Sequence, residues 1–231
     1  MALMTPHRTS VLRAMVGVVP TVLLLGGCGV SIALTEKAPA TNLPAAPHPV
    51  PVSLAPRAVL ETVVIKRNLA ASEPQPQLTQ DFIAAAGPAG LFSELSTNRD
   101  SRNPMRDVGL VLTVNETLDV HRDENQMRQE RIERSYLLPI ITPFYILYHK
   151  FENDFESQMV LDVERWDGET RRYTARAHGR MEYPYNADAQ PYQQEMIRQV
   201  TTNVLQSLVN QMAGDSSFFV PPPAGSEVKA K

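Results

Sequence analysis

The sequence predicts an α+β domain: a four-stranded, largely antiparallel sheet with helices on one face, in the order β-α-β-β-β-α. Three observations predict it. Residues 108–120 and 155–183 alternate apolar and polar side chains with the two-residue period of half-buried strands. Trp166-Asp167-Gly168 interrupts the second stretch and reads as the turn of a hairpin. Further on, Met196, Ile197, Val200, Val204, Leu205, Leu208, Val209 and Met212 recur at helical spacing within Pro191–Ala213. A sheet with one apolar face needs such a helix to cover it, which gives a two-layer sandwich.

The first strand is Val59–Arg67, rich in β-branched residues. Leu78–Ala86 reads as a short helix, with Thr79 or Ser72 as its cap and Gly87-Pro88 as its stop. Gly90-Leu91-Phe92 and Leu95 form a turn into the next strand, and residues 89–96 fit either helix or strand. That next strand buries Val108, Leu110, Leu112, Val114, Leu118 and Val120. The third turns Phe155, Met159, Leu161 and Val163 inward, and the fourth Tyr173, Ala175, Ala177, Met181 and Tyr183.

Parity fixes the hairpin between them. A two-residue loop would set apolar side chains beside polar ones, whereas an odd loop keeps each face uniform. With Trp166, Asp167 and Gly168 as the loop and Gly168 left-handed, Leu161 faces Tyr173, Met159 faces Ala175, Asp162 faces Arg172 and Glu156 faces His178. These cross-strand charges are explained as a solvated face. Asp188 is placed to cap the final helix.

Between the second and third strands lie two contrasting stretches. His121–Arg134 is charged and reads as a solvated extension of the strand. Ser135–Tyr148 is uncharged and apolar, too short to cross a bilayer, and its Pro139 and Pro143 argue against a regular helix. It either packs under the sheet or forms a contact surface for a membrane interface or a partner, with Tyr136, Ile140, Phe144, Tyr145 and Ile146 as the contact residues.

The ends have a different composition. Residues 1–27 carry Arg8 and Arg13, then an apolar run from Ala14 to Leu25, then Gly26 and Gly27, the pattern of an export signal. From Gly29 to Arg57 six prolines favour an extended tether. Residues 216–231, with Pro221-Pro222-Pro223, read as an unstructured tail. The domains are therefore a signal at 1–27, a tether at 28–56, a folded domain at 57–215 and a tail at 216–231.

Composition narrows the function classes. Of 231 residues with net charge −3, removal of 1–27 takes away two arginines and no acid, leaving −5. Such a chain has no general attraction to nucleic acid. Cys28 is the only cysteine, so no intrachain disulfide or thiolate metal cluster is available. The sequence has no HExxH, GxSxG, phosphate loop or GxGxxG, and His178 is accounted for by its cross-strand neighbour Glu156. No catalytic, metal or cofactor residue is assigned, and a non-enzymatic role is expected.

Leu25-Gly26-Gly27-Cys28 resembles the bacterial lipobox. The resemblance implies cleavage between Gly27 and Cys28 and acylation of the Cys28 thiol and amine. Gly29 in place of the aspartate of inner-membrane retention implies the periplasmic face of the outer membrane. The element order over 57–213 is similar to the small domains of the lipopolysaccharide-assembly, peptidoglycan-synthase activator and curli-secretion lipoproteins. The apolar segment Pro139–Tyr148 matches none of them, so only Cys28 carries a role over. The expected function is a membrane-anchored adaptor or accessory in envelope assembly or secretion with a protein partner, or else a lipid-handling module that uses the apolar segment. A hydrolase is the third reading.

Overall fold

The computed structural model describes residues 30–35, 55–68, 77–137, 140, 142–185 and 187–220, without the side chains of 144, 145 and 147. The strands are β1 (Ser31–Thr35), β2 (Arg57–Arg67), β3 (Glu94–Ser96), β4 (Val108–Asp119), β5 (Lys150–Glu164) and β6 (Thr170–Pro184). The helices are α1 (Gln77–Ala86), α2 (Arg122–Ser135), α3 (Thr142–Tyr148) and α4 (Gln190–Gly214). The strands form a single sheet in the order β1-β6-β5-β4-β2-β3.

The α+β class holds, but the sheet has six strands rather than four. The two additional strands lie at its edges, where short segments suffice. β1 adds to β6, from Ser31 opposite Glu182 to Thr35 opposite His178. It lies inside the stretch read as tether, while the remainder of that stretch up to 54, and residues 1–29, lie outside the described residues. β3 pairs with the start of β2. β2 runs parallel to both β3 and β4, joined to them through α1, so the sheet is mixed. The remaining pairings are antiparallel.

The predicted hairpin register is present throughout. Asp162 faces Arg172, Leu161 faces Tyr173, Met159 faces Ala175 and Glu156 faces His178. Gly168 has φ 81°, and the Arg165 amide donates to the Glu169 carbonyl across the three-residue loop. Glu156, however, accepts from Arg176 at 2.9 Å, while the carboxylate nearest the His178 ring is that of Asp154, at 3.5 Å. On a twisted sheet the long arginine reaches the diagonal carboxylate.

One face of the sheet is covered by α1 and α4. Phe82 and Leu91 meet Leu110, Leu112, Phe155, Met159 and Leu161 beneath α4, which buries Met196, Val200, Val204, Leu205, Leu208, Val209 and Met212. Ile197 is only partly buried. Asp188 accepts from the Gln190 amide at 3.1 Å, at the start of α4.

The core extends into the residues read as tail. Ser216–Phe219 is a 3-10 turn that buries Phe218 and Phe219, with Phe219 edge-on to Phe92 at 5.3 Å. Two aromatic rings bury more apolar area than the ordering of one turn offsets. Glu116 is buried on the core face of β4, where it pairs with Arg67. On the opposite face Arg102 lies over Gly109, bridging Glu61 and, at 3.1 Å, Glu164.

A candidate contact surface at one pole of the sheet

The link from β4 to β5 is a helical arm, not an extension of the strand, and it belongs to neither layer of a two-layer sandwich. α2 has almost no apolar stripe, burying only Ile132 and Ser135. Local interactions make it a helix. Asp123 and Glu124 complement the dipole in its first turn. Gln129 donates to Glu133 at 2.8 Å, and Arg134 pairs with Glu130 at 3.5 Å, both at i,i+4 spacing.

α2 docks by completing the hydrogen bonding of β5 beyond the end of β4. Pairing of β4 with β5 ends at Asp119 opposite Asp154. The Asn125 side chain takes over at Glu152, accepting from its amide at 3.1 Å and donating to its carbonyl at 2.9 Å. Arg128 donates to the Lys150 carbonyl at 2.7 Å and pairs with Glu152 at 3.0 Å. These bonds satisfy strand groups that would otherwise lack partners.

His121, at the base of the arm, is the only non-glycine residue with positive φ among those described, at 43°. Its Nε2 donates to Asp154 at 2.7 Å, and Arg180 holds the same carboxylate in a fork at 2.9 and 3.0 Å. The bond to Asp154 raises the His121 pKa above its ordinary value, with burial opposing and Asp119 and Glu124 assisting. Burial disfavours the Asp154 carboxylate, but the bonds from Arg180 and His121 outweigh it and hold its pKa below the ordinary value.

At the far end of α2 the Thr142 hydroxyl donates to the Ser135 carbonyl at 2.7 Å and turns the chain back into α3. Pro143 does not prevent this helix, and Pro139 lies outside the described residues. Pro143 stands in its first turn, where no backbone donor is needed. Between and along the two helices apolar side chains face solvent. Leu137 and Ile140 are each 83% exposed, Tyr148 is 87% and Tyr136 is 52%.

Of the predicted contact residues, Tyr136 and Ile140 are therefore exposed, and Ile146 is partly buried. Phe144 and Tyr145 have side chains outside the described set, and Gly27 and Cys28 lie outside the described residues. Leu137 and Tyr148 belong to the surface but were not among the predicted contacts. Their signal was membership of the same uncharged run.

Beside α2 lies a groove of about 950 Å³, floored by Phe151, Tyr183 and Tyr185 and walled by Gln126, Gln129 and Glu133. Phe151 stacks on Tyr183 at 5.5 Å and lies 6.0 Å from Tyr185. Partial burial, Tyr136 and Glu133 all push the Tyr185 phenol above its ordinary pKa. The arm thus presents apolar and aromatic area with carboxylates behind it, a surface suited to contact.

No family model matches the chain, and no curated protein matches it. Among solved structures, it is similar to the minor lipoprotein of Acinetobacter baumannii, at 15% identity over 73% of this chain and 96% of that one, TM-score 0.32. It is also similar to the PelC dodecamer of Paraburkholderia phytofirmans, at 8% identity over 80% and 98%, TM-score 0.33. The rare lipoprotein B of Shewanella oneidensis matches at 10% identity over 68% and 94%, TM-score 0.30. At these values nothing transfers to individual residues. No helix among the described residues is long and apolar enough to cross a membrane.

Proposed function

We propose that the chain is a lipid-anchored accessory protein of the bacterial envelope, held at the periplasmic face of the outer membrane through Cys28 and acting by binding rather than by chemistry. The sequence support is Leu25-Gly26-Gly27-Cys28 after an export signal. The observation that carries the contact role is the exposure of Leu137, Ile140 and Tyr148 on a docked helical arm. Large apolar side chains clustered in water mark a surface that is covered in use.

Metabolic labelling with palmitate, comparing the full chain with Cys28→Ala, tests the anchor. Label should enter the parent chain and be absent from the variant, which should leave the membrane fraction. Label that persists in Cys28→Ala refutes the assignment.

A further inference from the structure

The register of β1 places the chain's N-terminal exit at the same pole as the arm. β1 begins at Ser31 opposite Glu182, near the end of β6, and runs toward the hairpin. Lys150, where β5 starts directly after α3, faces Pro184 at the end of β6. Val30 packs against the core there. Cys28 is two residues upstream, so its Cα lies within about 7 Å of that of Val30, whatever path the backbone takes. The hairpin lies at the opposite pole, about 45 Å away along β5.

We propose that the domain rests its α2–α3 pole on the bilayer that holds the acylated N-terminus, with Leu137, Ile140 and Tyr148 entering the interfacial region. This rests on the lipoprotein reading. An anchor so close to Val30 keeps this pole near the lipid surface. The side chains exposed there are those an interface accepts: aliphatics that bury in the acyl boundary, and tyrosines whose hydroxyls stay among the headgroups. Ser135–Tyr148 contains no Asp, Glu, Lys or Arg that contact with lipid would strip of water. Arg134 and Lys150 stand at its two ends, paired with Glu130 at 3.5 Å and Glu182 at 3.4 Å, on long stems that allow them to exchange those surface carboxylates for lipid phosphate. The run is too short to span and suits shallow insertion.

The experiment uses the full chain, processed and acylated in cells, with acylation verified by intact mass. Because Cys28 is the only cysteine and is blocked by lipid, Leu137→Cys, Ile140→Cys and Met105→Cys each provide one thiol for an environment-sensitive fluorophore. Met105 is the control: it is 82% exposed and apolar, but lies just before β4 at the hairpin pole. The proteins are reconstituted into phosphatidylcholine vesicles whose acyl chains carry bromine as a quencher.

Shallow insertion should cost the labels at 137 and 140 about half or more of their fluorescence, with the label at 105 unaffected. Acylated protein with no lipid quenching at 137 and 140 overturns the inference and leaves the lipoprotein reading intact. Shielding of these labels from aqueous iodide without lipid quenching means that a second copy covers the tip, and also overturns it. Equal quenching at 105 removes the claimed orientation. Absence of the acyl mass defeats the lipoprotein reading, and the inference with it.

Discussion

Val200 of α4 lies directly against Gly179 of β6, so close that a Cβ on Gly179 would stand 2.7 Å from its Cγ2 and 2.9 Å from Met196 Cγ. Gly179→Ala therefore has to lift α4 or displace both side chains. Overpacking of this kind costs about 1–3 kcal/mol. Urea denaturation should show a lower midpoint with an unchanged slope.

Arg67 and Glu116 make the second prediction. Glu116 is buried on the core face, so removing its carboxylate alone leaves the Arg67 guanidinium without its main counter-charge. Glu116→Leu should destabilise by about 3 kcal/mol, and adding Arg67→Met should recover most of that loss. A double-mutant cycle by urea denaturation measures the coupling. Additive losses would show that the pair is not a unit.

The His121–Asp154 bond gives stability a pH dependence. The His121 pKa is raised in the fold, so its contribution is complete below the unfolded value near 6.5 and is lost as pH rises through the folded value. The Asp154 pKa is lowered, so its contribution is complete above the unfolded value near 3.8 and is lost as pH falls through the folded value. Both are at full strength between these values. The unfolding free energy should decline as pH is raised above about 6.5, and His121→Gln should flatten that decline.

Leu137→Asp with Ile140→Asp should leave stability within about 0.5 kcal/mol, because both side chains are already in water. A much larger loss in thermal or urea melts would mean that the tip packs against the domain in solution.

What could be read in advance depended on where side chains repeat. The register of the β5–β6 hairpin was legible to the residue, because the apolar–polar alternation of both strands and one glycine leave a single parity. α4 was legible from its stripe. β1 was not, because Ile32 and Leu34 give too short an alternation among small residues, and its partner is a strand about 150 residues away. α2 was hidden because Met127 and Ile132 are its only large apolar residues, so the helix shows as paired charges rather than as a periodicity. The arm's exposed tip was recognisable as a candidate. Its nearness to the N-terminal exit was not, since that relation depends on the register of β1.

The same register determines how the domain would bear load. Backbone hydrogen bonds between antiparallel strands run across the strand axis. A pull on Cys28 acts along β1 from its Ser31 end, so the pairs from Ser31–Glu182 to Thr35–His178 take the force together, in shear. An attachment at the Thr35 end would peel them one at a time. Under the proposed mooring at Cys28, drawing the domain away from the membrane would load this short edge strand in its mechanically stronger geometry.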